Sequence, residues 1–121
     1  MKKSLLLAAL LFSSVAQADT YFCTSKNIAT ILVPPTLGHS NSLSENDDTT
    51  IVVDSSKGYR HSEFSDYSGD CETSGAFLVC SFESEYGQGT IAIATSALSF
   101  SYIDHIFGTR LTSRVGSCVK A

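Results

Sequence analysis

His61 and Glu63 stand two residues apart, so on an extended segment their side chains share a face, and Asp66 and Asp70 follow closely. One imidazole with several carboxylates could hold zinc or a harder cation. The spacing matches no standard metal site, and the expectation is a solvated polar edge with no metal bound. The Glu45-Asn46-Asp47-Asp48 run lacks the Asp-x-Asp-x-Asp-Gly order of a calcium loop. The histidines are His39, His61 and His105, and no serine sits in the Gly-x-Ser-x-Gly elbow that would expose a nucleophile. No motif calls for a cofactor. Paired carboxylates for glycoside chemistry need a separation in space, which no spacing in this chain encodes. A non-catalytic role is therefore favoured over a small hydrolase.

Binding chemistry has more material. Tyr59, Tyr67, Tyr86 and Tyr102 can each bury a ring and keep a hydroxyl wet, which suits a recognition surface. Arg60 adjoins Tyr59, and Arg110 and Arg114 share a face of one extended segment. These arginines could meet an anionic ligand or an acidic partner, or could pair across strands with Glu or Asp. The candidate binding surface is therefore Tyr59, Arg60, His61, Glu63, Tyr67, Arg110 and Arg114.

The N-terminus sets the compartment. Met1-Lys2-Lys3 is a short basic start, residues 5–12 are apolar, and Ala16-Gln17-Ala18 is a small-x-small cleavage pattern. Together they read as a secretory signal peptide over residues 1–18. The apolar run is too short for a membrane span, which needs about 20 residues. Asp19, not cysteine, follows the cut, so no lipid anchor is expected. The reading is a secreted or periplasmic chain with a single β-domain over residues 19–121. Losing Lys2 and Lys3 takes the formal charge from −4 to −6. An acidic chain with no basic cluster argues against nucleic acid as a partner.

An oxidising compartment turns an even number of cysteines into disulfides. Cys71 and Cys80 flank the turn residues Thr73-Ser74-Gly75, and they are expected on neighbouring strands. Four cysteines allow three connectivities. The nested pairing, Cys71 with Cys80 and Cys23 with Cys118, is the expected one. A domain of this length has a modest core and gains from such staples.

After the leader no segment has a helical period. Short apolar runs recur between Gly, Asn, Asp and Ser, the pattern of an all-β domain. Strands are expected over residues 20–24 and 27–33, the second ended by Pro34-Pro35, then around Ile51-Val52-Val53 and over residues 59–64. Residues 36–49 are polar and read as an exposed loop, and residues 83–89 as a turn region. Leu98, Phe100 and Tyr102 alternate with Ser99 and Ser101, the mark of a half-buried antiparallel strand. In the last strand Arg110, Thr112, Arg114 and Lys120 share a parity with Cys118. A bulge near Gly116 is expected to turn the cysteine inward. About eight short strands stapled by two disulfides make a small antiparallel barrel or a compact sandwich.

The spaced segments Val53-Asp54-Ser55-Ser56-Lys57-Gly58-Tyr59-Arg60, Tyr67-Ser68-Gly69-Asp70-Cys71, Leu78-Val79-Cys80, Phe100-Ser101-Tyr102 and Gly116-Ser117-Cys118-Val119-Lys120 resemble small secreted bacterial proteins of unknown function. The resemblance covers most of residues 19–121 and implies no activity or site. Periplasmic lysozyme inhibitors share the size and compartment, but their Ser-Gly-x-x-Tyr loop is absent. The functional expectation is a non-enzymatic binding module for a protein or small ligand. The alternative is an inhibitor of an envelope-active enzyme, inserting a loop from residues 36–49 or 83–89.

Overall fold

Alternation along the chain builds one antiparallel sheet. The computed structural model describes residues 18–32, 40–44 and 48–121. Most of the leader, Pro34-Pro35, His39 and the Glu45-Asn46-Asp47 part of the acidic run lie outside them. The strands are β1 (Thr20–Leu32), β2 (Ser40–Ser44), β3 (Thr50–Asp54), β4 (Gly58–His61), β5 (Asp70–Ser74), β6 (Phe77–Glu83), β7 (Gly87–Ala94), β8 (Ser99–Ile106) and β9 (Arg110–Lys120). Eight run in the order β4-β3-β1-β9-β8-β7-β6-β5, and β2 pairs with β1 off this path. The described residues form no helix, so none is long and apolar enough to cross a membrane.

The sheet curls into a nearly closed barrel. The seam lies between β4 and the segment leading into β5. There Tyr59 N donates to Ser68 O at 2.8 Å and Ser68 N donates to Tyr59 O at 2.9 Å. Two glycines let the backbones approach. A Cβ on Gly58 would fall 2.1 Å from Ser68 O, and one on Gly69 would fall 2.6 Å from Ser81 O.

Both disulfides have the nested connectivity, and each joins residues directly opposite on paired strands: Cys23 with Cys118 across β1 and β9, Cys71 with Cys80 across β5 and β6. The interior is packed by Ile51, Val53, Ile91, Ile93, Phe100 and Tyr21 around these cystines. Ile91 and Ile93 lie opposite Tyr102 and Phe100, so the alternation read in β8 continues across the sheet.

Three expectations change. The strands expected over residues 20–24 and 27–33 are not two, since residues 20–24 and 27–32 are parts of β1. Its pairing with β9 runs through both parts and shifts register between Ser25 and Asn27. Lys26 is the extra residue of a bulge, and a bulge bends a strand without ending it. Successive parts of the other β1 edge take β3 and then β2. Residues 36–49 are not all loop, because Ser40–Ser44 pairs with β1. Ladder hydrogen bonds use only the backbone, so a largely polar segment can still supply a strand. The bulge expected in β9 at Gly116 lies instead in β1, where Ser25 faces Gly116. A Cβ at Gly116 would meet Thr24 O at 2.1 Å and Phe100 Cε1 at 2.9 Å. The strand therefore stays regular, and Cys118 shares the interior face with Thr112 and Arg114. The opposite parity of β9, which carries Val115 and Val119, points outward and leaves both exposed.

The turn after β3 is organised by Asp54. Its Oδ1 accepts from Ser56 N at 2.9 Å and from Ser56 Oγ at 2.6 Å, and its Oδ2 accepts from Thr20 Oγ1 at 3.3 Å. The Ser56 hydroxyl, chiefly, holds the carboxyl below its usual value of 3.8, against an opposing effect of burial. Asp54→Ala is expected to cost about 1–3 kcal/mol near pH 7. The folded carboxyl binds its proton more weakly than the unfolded one, so its stabilisation is present above 3.8 and is lost as pH falls through the depressed folded value. Urea unfolding of both proteins at neutral and strongly acidic pH should show the gap closing in acid.

Candidate functional site at one end of the barrel

Tyr102 and Asp104 are two apart on β8, and the β9 residues opposite them are Arg114 and Thr112. Across β1 those two face Ile28 and Thr30. Tyr59 and His61 share a face of β4, and the turn after His61 brings in Glu63 and Phe64. All these side chains gather at the end of the barrel remote from the Cys23–Cys118 bridge. The interior is thus divided, apolar around the cystines and polar at this mouth.

Two adjoining hollows lie there, of about 440 Å³ and about 360 Å³, and His61, Phe64 and Asp104 line both. The sequence-derived surface largely converges on them. Tyr59, Arg60 and His61 line the larger, and His61, Glu63, Arg110 and Arg114 line the smaller. Tyr67 lines neither. Its ring takes the Arg60 guanidinium at 5.3 Å and the Lys57 ammonium at 5.6 Å from its centroid. Directly opposite Arg110 and Arg114 stand Leu32, Ile106, Ile28 and Tyr102, not carboxylates. Arg114 lies over the Tyr102 ring, 6.0 Å from its centroid.

The rings interlock edge to face. The Tyr59 and His61 rings each sit 5.9 Å from Tyr102, at interplanar angles of 72° and 89°. The tyrosine hydroxyls converge over Gly89, where a Cβ would fall 2.5 Å from Tyr59 Oη and 3.5 Å from Tyr102 Oη. Burial, then the negative charge of Asp104, pushes the Tyr59 phenol up to about 12. The same two causes push Tyr102 up as well. Both phenols therefore stay neutral around pH 7 and act as hydrogen-bonding groups, not as bases.

His61 is lowered from 6.5, first by burial and then by Arg114, against the opposing charges of Glu63 and Asp104. Its unfolded form binds the proton more tightly. Stability should therefore be full above 6.5 and fall as pH drops from there toward the lower folded value. His61→Gln should flatten that part of the curve. Melting temperatures of both proteins from mildly alkaline to mildly acidic buffer would show it, and parallel curves would contradict it.

The larger hollow also holds Ser65, Ser68 and Asp66. Among the described residues no hydrogen bond joins a serine hydroxyl to His61, and no cluster of His, Cys, Asp and Glu is placed to hold a metal ion. A hollow of about 630 Å³ on the outer side of β5–β7 is lined by exposed polar residues such as Glu72 and Ser81, and shares only Phe82 with the larger hollow of the mouth.

Sequence reasoning missed Asp104, Phe64 and Phe82 as site residues. Asp104 had a signal. Carrying the inward alternation of Phe100 and Tyr102 two residues further reaches it. Compared with protein-family models, with characterised proteins and with solved structures, the chain matches none.

Proposed function

We propose that this chain is an exported, non-enzymatic binding module that takes a small ligand at the polar mouth of its barrel, and that it belongs with the small secreted bacterial proteins its sequence resembles. The division of the interior carries the reading. Aromatic walls with a few convergent polar groups, over a rigid cross-linked floor, are the usual make-up of a ligand site, and both hollows fall in the size range of such sites. Two disulfides fit an oxidising compartment. The test is native mass spectrometry of oxidised residues 19–121 after incubation with cell-envelope extract. A retained small molecule, released by substitutions at the mouth, is expected. Absence of any bound species at micromolar protein would count against the proposal.

A second reading, inhibition of an enzyme, has one observation in its favour. Tyr86 is 75% exposed at the tip of a short turn fixed by Ser84 N donating to Gly87 O at 2.8 Å and Phe107 N donating to Tyr86 O at 3.0 Å. A rigid turn presenting one aromatic ring is a suitable anchor for a protein partner. A protein co-purifying with the wild type but not with Tyr86→Ala would favour this reading.

A further inference from the structure

We infer that the larger hollow at the mouth is a seat for a small organic cation whose charge is covered by alkyl groups, such as a quaternary ammonium. This rests on the mouth being the binding site and adds the chemistry of what it takes.

The walls of that hollow include the rings of Tyr59, His61, Phe64, Phe82 and Tyr102, with the carboxylates of Asp66 and Asp104. Asp104 is the common element of this end. It lines the larger hollow, the neighbouring one beside Arg114, and a third beside Tyr86 and Ile106. Its charge is felt by both phenols and by His61. The basic residue of the same wall is turned aside. Arg60 Nη1 donates to Phe64 O at 2.9 Å, and its guanidinium lies against Tyr67, a ring outside the hollow. Arg110 and Arg114 line the adjoining hollow instead.

Ring faces carry negative electrostatic potential, and a carboxylate adds a full charge. Together they favour a cation that sheds its water easily, which is how aromatic cages hold quaternary ammonium groups. A compact ammonium with a strong hydration shell would find few fixed acceptors here to replace it. An anion would face Asp66 and Asp104, while the nearest cations are already engaged, Arg60 with Phe64 O and Tyr67 and Arg114 over the Tyr102 ring.

The experiment is an amide NMR titration of oxidised residues 19–121 near neutral pH. The probes are choline, its uncharged carbon isostere 3,3-dimethyl-1-butanol, inorganic phosphate and a capped lysine tripeptide. Choline is expected to move the signals of Tyr59, His61, Tyr102 and Asp104, with the isostere at least about tenfold weaker. Asp104→Asn should weaken choline to a similar degree. Phe82→Ala, at a ring already 40% exposed, is the second variant should the first fail to fold. Equal binding of choline and its isostere would overturn the inference. So would phosphate moving these signals where choline does not, although the mouth would then stand as the binding site. A tripeptide binding more tightly than choline would move the cation onto a protein chain and overturn the small-molecule claim. Silence of the mouth to all four probes, together with nothing retained from envelope extract, would remove the site as well.

Discussion

Replacing Cys23 and Cys118 together with alanine is expected to cost ~5 kcal/mol of unfolding free energy, and replacing Cys71 and Cys80 ~3 kcal/mol, by the loop-entropy model. The difference comes from the separations the bridges close, 95 residues against 9. Position reinforces the order. Cys23 and Cys118 are buried and join β1 to β9, the longest pairing in the sheet, whereas β5 is an end strand whose residues are mostly exposed. A small domain has only about 5–15 kcal/mol in total, so losing the longer bridge should leave the protein close to unfolded at ambient temperature. Losing the shorter one should leave a folded but weaker domain. Urea unfolding followed by near-ultraviolet circular dichroism checks both. Equal losses would show that the long loop is already constrained in the unfolded chain.

Gly58→Ala is expected to cost roughly 3 kcal/mol or more, since a left-handed backbone and a steric clash add. Gly58 has φ of 108°, and the added Cβ would fall 2.1 Å from Ser68 O and 2.7 Å from Gly69 O. Those are backbone atoms of the strand-like segment that closes the barrel, so relief means parting the seam. Gly75 is the matched control. It is also left-handed, with φ of 60°, but a Cβ there meets nothing within 4 Å. Gly75→Ala should therefore cost only the conformational part, about 1–2 kcal/mol. Urea midpoints give the comparison, and faster amide exchange at Tyr59 and Ser68 in Gly58→Ala would locate the damage. Two equal penalties would mean that the seam yields freely.

The disulfide pairing and the antiparallel build were legible because each has a signature in residue type. The alternation in β8 and the turn beside Gly75 place their neighbours with no knowledge of the rest. The polar strand β2 left no such trace, since its pairing with β1 uses backbone groups. Lys26 looks like a break between two apolar runs, and only the continuing register with β9 shows it to be a bulge. The face of β9 is hard to read for a deeper reason. A parity that carries charged residues ordinarily faces solvent, whereas here solvent reaches the interior at one end and Arg114 points there. The candidate residues themselves were mostly identified, but their assembly depends on which strand faces which. That is why Asp104, at the centre of the mouth, was passed over.

The union of β1 with β9 also bears on the order of assembly. A nascent chain can pair one edge of its earliest strand with β2 and β3, but the other edge stays open until the final strand has been made, because β9 is the partner there along nearly its whole length. Hairpins such as β5–β6 and β7–β8 can zip locally in the meantime, and Cys71 can find Cys80 early. Cys23 must wait, exposed to the wrong thiol, until Cys118 arrives. A fold so rich in distant pairings is slow to form, and mispaired Cys23 is the intermediate that an oxidative refolding time course should accumulate.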